Sequence, residues 1–333
     1  MAIIRNWNDI KDDYEDTLLL GNGASIAVNP DFSYDSLYQR LTNLPQGELL
    51  GPIFESFSST DFELILHRLW IASRVNELLN VDETETVRNY KLLRDLLITC
   101  VNSNHAIHQN ISAKLQQIRT YIGNFKTVLS LNYDLILYWA MLTSHTDRVE
   151  IKDCFVNQSF SSNRDWREFR EVYRRGDHDK TCLVFYPHGS LALAQDFEGS
   201  EFKIQVDSSG DGDYLQQISQ CWTSSLGTPV FVAEGTSEQK LNSIARSRYM
   251  NTIYQEILPE KKDSIVIYGW SFSINDAHII KALIKSRPSR IAISVYNQGP
   301  DICNQLELTL KSKFGSSLVV EFFHSNSDDC WCY

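Results

Sequence analysis

Short apolar runs bounded by polar turns alternate with stretches of helical periodicity along this chain. After a polar, helix-like lead-in, Thr17–Leu20 forms a compact apolar run. It ends in Gly21-Asn22-Gly23-Ala24-Ser25, the pattern of a buried strand entering a tight glycine turn. No second strand follows directly. From Tyr34 to about Ile122 apolar residues recur at three- and four-residue spacing: Phe62, Ile65, Leu66, Leu69 and Trp70, then Tyr90, Leu92, Leu93, Leu96 and Leu97, then Ile107, Ile111, Leu115 and Ile118. That spacing predicts helices, so residues 35–121 are expected to be a helical insertion within the first crossover. Strand patterns return at 127–131, 183–186, 230–233, 264–268, 290–296 and 318–323. Most alternate with helical stretches at 238–258, 276–286 and 301–313, while 191–206 has the pattern of a small hairpin and Gly210 to Gly212 that of a turn.

Strand–helix alternation of this kind predicts a parallel sheet covered by helices on both faces. The expected fold is α/β, a Rossmann-like three-layer α/β/α core formed by residues 1–34 and 122–333, plus the helical insertion. Composition narrows the function classes. The 333 residues are 43% hydrophobic and 22% charged, enough to bury a sizeable core. A formal net charge of −11 argues against a nucleic-acid-binding surface, although residues 164–175 are locally basic. No stretch approaches the roughly 18 apolar residues of a membrane-spanning helix, and the N-terminal residues carry neither a signal core nor a transit pattern. Seven scattered cysteines, an odd number, predict reduced thiols and a cytoplasmic location. Cys330 and Cys332 lack a second pair, so no metal site is expected.

Five segments at strand ends can carry chemistry. In the first, Gly21, Asn22, Gly23, Ala24 and Ser25 would let backbone approach a ligand, with a following helix pointing its free amides at a phosphate. A dehydrogenase would add a third glycine and a second strand ending in an acid; both are missing, which disfavours hydride transfer. In the second, Asn132 and Asp134 sit just beyond a predicted strand, where open α/β sheets bind ligands. They can hold ribose hydroxyls or orient a water, or Asp134 can simply cap the next helix. The third, Tyr186-Pro187-His188-Gly189, offers an imidazole suited to general-base work near pH 7, or a structural histidine. The fourth runs Gly269-Trp270-Ser271 into a helix opened by Asp276, with His278 expected to pack inside that helix. The fifth, Val295-Tyr296-Asn297-Gln298, ends a late strand and is well placed for the adenine side of a dinucleotide.

These five elements, in this order, resemble the sirtuin-like family: Gly-x-Gly near the start, Asn-x-Asp, His-Gly, Gly-x-Ser and a late strand ending in Asn. The resemblance covers about residues 15–34 and 122–325. It departs from the protein deacylases of that family, which carry a zinc ribbon of two Cys-x-x-Cys pairs after His-Gly; this chain has no Cys-x-x-Cys. Bacterial relatives with a Gly-x-Ser-x-x-x-x-Asp-x-His-Ile stretch look closer. The resemblance implies NAD⁺ as substrate, no metal, and hydrolysis of the nicotinamide–ribose bond to nicotinamide and ADP-ribose. It further implies NAD⁺ depletion in anti-phage defence, a homo-oligomer, and a HerA-type ATPase partner or phage-derived trigger. On it, Asn132, Asp134 and His188 are the catalytic set. Gly21, Asn22, Gly23, Ala24, Ser25, Gly189, Gly269, Ser271, Asp276 and Asn297 hold the dinucleotide. Gly235-Thr236-Ser237 competes with Gly269-Trp270-Ser271 for the adenosine side. Deacylation, ADP-ribosyl transfer and non-catalytic NAD⁺ or ADP-ribose sensing are the alternatives.

Overall fold

A computed structural model describes residues 2–32, 37–60, 62–143, 148–161, 164–171, 180–196, 198–206, 214–223, 228–232 and 235–333. Gly210 to Gly212 and residues 172–175 of the basic stretch at 164–175 lie outside these residues. The fold is a Rossmann-like three-layer α/β/α sandwich around an eight-stranded sheet. Its strands are β1 (Ile4–Arg5), β2 (Thr17–Leu20), β3 (Thr127–Ser130), β4 (Val149–Lys152), β7 (Lys180–Phe185), β11 (Ser264–Tyr268), β12 (Arg290–Val295) and β13 (Val319–His324). The order is β1-β13-β12-β11-β2-β3-β7-β4, and every pairing is parallel. The central strands β2, β3 and β11 are buried at every position. This is why their sequences read as continuous apolar runs rather than alternating ones.

Two smaller pairings lie outside this sheet. A hairpin joins β5 (Phe155–Val156) to β6 (Ser159–Phe160), and a three-stranded antiparallel sheet is ordered β10 (Thr228–Phe231), β8 (Gly189–Gln195), β9 (Glu201–Lys203). The strand expected at 230–233 therefore belongs to an antiparallel sheet, not the main one. The hairpin pattern at 191–206 is β8 and β9, paired antiparallel. The single helix expected over 238–258 is broken: α9 (Ser237–Arg246) ends at Ser247, whose hydroxyl caps α10 (Arg248–Thr252), followed by a π-helical turn at Ile253–Ile257.

Helices α1 (Asn22–Val28), α2 (Leu37–Asn43), α3 (Gly51–Ser56), α4 (Phe62–Leu78), α5 (Thr84–Asn104) and α6 (His108–Ile122) separate β2 from β3. α6 behaves as the crossover helix of the core. It packs on α7 (Ile136–Leu142), and Tyr121 near its end meets the rings of Trp7, Phe125, Tyr268 and Trp331. By packing, the added helices are thus α2 to α5, where α4 lies on α5 and on β10, and α5 also meets α8 (Tyr214–Thr223). The C-terminal residues dock on the back of α1: Trp331 Nε1 donates to Ala24 O (2.8 Å), and Cys332 Sγ faces Ala27 O. Burial pushes the Cys330 and Cys332 thiols above their ordinary range, which suits packing rather than ligation. Among the described residues no helix is long and apolar enough to cross a membrane.

Candidate functional site

The chain runs outward from β2 through β3 and β7 on one side, and later strands fill the other side beginning with β11. β2 and β11 are therefore neighbours at the point where the strand order reverses, and a crevice opens beyond their carboxyl ends. Open α/β sheets bind ligands at such switch points. Here a cavity of about 620 Å³ occupies the crevice, within the range of small-molecule sites. It is walled by Gly21, Asn22 and Gly23 after β2, Asn132 to Asp134 after β3, His188 after β7, Gly269 to Ser271 after β11, and Ser294, Tyr296 and Gln298 at the end of β12.

The glycines hold the two central turns together. A Cβ on Gly21 would sit 2.6 Å from Trp270 Cα, and one on Gly23 would sit 2.7 Å from Gly269 Cα. Gly269, at φ +68°, would place its Cβ 2.4 Å from Ala24 N. The amides are committed to the same contact: Gly21 N donates to Tyr268 O (2.9 Å) and Gly23 N to Gly269 O (2.7 Å), while Ala24 N turns back to Gly21 O. Ala24 and Ser25 lie in α1 beneath the turn and do not face the cavity. Within Gly21, Asn22 and Gly23, the backbone amide of Asn22 is left to a ligand, while its side-chain Nδ2 donates to Phe32 O (3.4 Å).

Ser25 instead belongs to a polar network below the cavity floor. Its hydroxyl donates to Asp134 Oδ2, and the other Asp134 oxygen accepts from Ile136 N (2.9 Å) at the start of α7. Both Asp134 oxygens are thus engaged, one of them with the first amide of α7 from the position before the N-cap, Leu135. Asn132 Nδ2 donates to Gly21 O and to Ser25 Oγ, both at 2.9 Å. With both amide hydrogens spent, Asn132 Oδ1 remains as an acceptor on a residue lining the cavity.

His188 is buried, and its Nε2 lies 2.9 Å from His278 Nε2. The far nitrogen of His278, Nδ1, lies 3.1 Å from Ser237 Oγ, which also accepts from the His278 amide (3.0 Å). His188 also bonds the Leu131 carbonyl. Since Nε2 faces His278, Nδ1–H is that donor. The protons then run one way: Ser237 hydroxyl to His278 Nδ1, His278 Nε2–H to His188 Nε2, and His188 Nδ1–H to Leu131 O. Both rings are neutral in this arrangement. Burial first, then the Lys240 ammonium, hold both imidazoles well below their ordinary range, with His278 also lowering His188. His278 is therefore the direct partner of His188, where the sequence suggested only helix packing. In this arrangement His188 has no free lone pair for a substrate.

Beside the two rings, Lys240 Nζ pairs with Asp276 Oδ1 (2.7 Å), and Trp270 Nε1 donates to Asp276 Oδ2 (3.2 Å). Burial opposes ionisation of Asp276, but Lys240, His188 and these hydrogen bonds hold its carboxyl below the usual range. His188, Asp276 and His278 place ligand atoms within 4.8 Å of one another. The space between them is closed by a histidine–histidine hydrogen bond and an ammonium, which disfavours a cation there.

A family profile, the domain of unknown function DUF4917, matches residues 18–331, from the strand before the first glycine turn to the C-terminal anchor. The chain belongs to the DUF4917 family. No curated protein matches it.

Several expected site residues of this DUF4917 chain do not face the cavity. Gly189 lies in β8 at φ +73°, where a Cβ would fall 2.2 Å from Val230 O, so its glycine serves the contact with β10. Asn297, at φ +51°, is exposed between Tyr296 and Gln298, and those two neighbours line the cavity instead. Of the two Gly-x-Ser segments, Gly269 to Ser271 lines the cavity. In the other, Thr236 caps α9 and Ser237 supports His278. Glu234 lies outside the described residues. The added helices supply the cover, with Val101 and His105 at the end of α5 facing the cavity. His105 Nε2 accepts from Leu135 N (2.9 Å) and its Nδ1–H faces Ala106 O (3.0 Å), so this histidine is structural. Of the lining residues, Ser294 was not expected in the site, whereas Tyr296 and Gln298 flank Asn297 in the fifth segment and Lys240 ends the 234–240 stretch that holds the competing Gly-Thr-Ser. For Ser294, Tyr296 and Gln298 the available signal was alternation along β12 into its exit, which puts every second residue on the cavity side.

Proposed function

We propose that the cleft takes NAD⁺ and that the protein hydrolyses the nicotinamide–ribose bond, giving nicotinamide and ADP-ribose. The observation that carries this reading is the convergence of Asn132, His188 and the Gly269 to Ser271 turn on one cavity at the switch point of a parallel sheet. Convergence in that order is also what the sirtuin-like resemblance implies. The cavity of about 620 Å³, lined by His188 as well as by Tyr296 and Gln298, would take a dinucleotide with its adenosine over the end of β12.

The chemistry asks little of the protein beyond positioning. Nicotinamide leaves NAD⁺ as a neutral molecule, taking the bonding electrons to the pyridinium nitrogen. The ribose left behind is an oxocarbenium-like cation that water captures, and one proton is released. Holding the ribose and aligning the water supplies most of the acceleration. Asn132 Oδ1, fixed by the two bonds from Nδ2, is the acceptor that aligns the water or a ribose hydroxyl. Asp134 fixes Ser25 and α7, and so acts on the site through Asn132 rather than on the substrate. His188 takes up a proton only when a substrate hydroxyl or water replaces His278 at Nε2, so the histidine pair of the free protein is its resting state. General-base assistance of this kind is worth about 10²–10⁴-fold.

Turnover of NAD⁺, followed by chromatography of nicotinamide and ADP-ribose, tests this. Asn132→Ala should lose at least about tenfold in kcat with little change in thermal stability, and His188→Ala should fall within the general-base range. Wild-type rates in both folded variants would remove the assignment.

A further inference from the structure

Gly21, Gly23 and Ala24 spend their amides within the two turns and leave only that of Asn22, so an anionic ligand needs a charged partner besides it. Of the residues described along the cavity wall, Lys240 is the one with a fixed positive charge. Its side chain is 8% exposed and, among the described residues, its ammonium has one hydrogen-bonded partner, Asp276 Oδ1. An ammonium has three N–H donors, and leaving donors unmet in a buried position is costly. Asp276 in turn is held on its other oxygen by Trp270 Nε1, which keeps the carboxylate from following a departing lysine. Lys240 is also placed firmly from behind: it lies in the first turns of α9, whose capping box joins Thr236 and Gln239, and its own amide donates to Thr236 O (2.9 Å). The two carboxylates on the wall, Asp134 and Asp276, both have their oxygens engaged, so they need no cation from the ligand.

We infer that Lys240 is the anion-binding residue of the cleft, meeting phosphate oxygens of a diphosphate-bearing nucleotide, with Asp276 holding the ammonium in place until the ligand arrives. The identity of the anion rests on the dinucleotide reading above; the position of the anion site does not. The step is one of binding, with no bond made or broken: the phosphate oxygens fill the remaining N–H donors of the Lys240 ammonium.

Isothermal titration of the full chain with ADP-ribose, inorganic pyrophosphate and adenosine tests the inference. Lys240→Met should weaken ADP-ribose and pyrophosphate by about 10- to 100-fold, the worth of one charged hydrogen-bonded contact. Adenosine, which lacks phosphates, should bind within about twofold of wild type. Asp276→Asn keeps an acceptor for the ammonium and removes only the carboxylate charge, and should weaken ADP-ribose by much less than Lys240→Met. If Lys240→Met fails to fold because Asp276 is stranded, Lys240→Met with Asp276→Asn removes both charges and should show the same loss. The inference is overturned if either lysine variant binds ADP-ribose within about threefold of wild type, or if Asp276→Asn weakens it as much as Lys240→Met. It is also overturned if the folded wild type binds neither anion. Lysine-dependent pyrophosphate binding without NAD⁺ cleavage would keep the anion site and remove the hydrolase reading. NAD⁺ cleavage untouched by Lys240→Met would do the reverse.

Discussion

Substituting Gly269 by alanine separates two explanations of the glycines in the cleft. If they are there to let a phosphate approach, Gly269→Ala should weaken ligand binding and leave folding alone. The packing of the two central turns says otherwise. The new Cβ would lie 2.4 Å from Ala24 N, 2.6 Å from Gly23 C and 2.8 Å from Gly23 Cα, all backbone atoms that cannot rotate away. Holding an L-residue near φ +68° costs about 1–2 kcal/mol, and forcing the turns apart adds about 1–3 kcal/mol. The expected loss is about 2–5 kcal/mol, a large share of the roughly 5–15 kcal/mol of a typical domain. Urea unfolding should show a lower midpoint with an unchanged slope. Gly51→Ala, where nothing lies within 4 Å of the added Cβ, is the control and should be neutral or slightly stabilising. A Gly269→Ala midpoint equal to wild type would refute the packing explanation and return the glycine to the ligand.

The histidine pair gives two further expectations. His278→Leu removes the donor to His188 Nε2 and the partner of Ser237, and should cost about 1–3 kcal/mol in urea unfolding; no loss would mean the contact is incidental. Both imidazoles are depressed in the folded chain, below the 6.5 of a free histidine. Their contribution to stability is thus complete above about pH 6.5 and is lost as pH falls toward their folded values, by about 1.4 kcal/mol per pH unit for each ring. Unfolding at pH 7 and pH 5 should show this loss, smaller in His278→Leu; equal acid sensitivity in the two proteins would place the titration elsewhere.

Much of the fold was legible because burial on both faces leaves an unmistakable trace. β2 and β11 were expected at the residues where they occur, each a run of apolar side chains ended by glycine. β1 and β4 were not foreseen: one is two residues long, and the other is a half-buried edge strand with charge at Glu150 and Lys152. β10 looked like any other apolar strand, and only its partner β8 makes it antiparallel. At the site, strand-end position pointed to Asn132, His188 and Gly269 to Ser271. It could not tell which atoms would be free. Asp134 and Ser25 turned inward to each other, and His188 is met from behind by a histidine 90 residues away. Lys240 stands 36 residues before Asp276, on a different helix, so their pairing has no local signature.

The most direct measurement is incubation of the purified wild-type chain with NAD⁺ alone, with no acylated peptide or acceptor protein, followed by quantitative chromatography. Hydrolysis in this cleft predicts nicotinamide and ADP-ribose in equal amounts, rising with time and lost in Asn132→Ala. Intact NAD⁺ after prolonged incubation with a chain that binds it tightly would contradict hydrolysis and leave a nucleotide-binding protein.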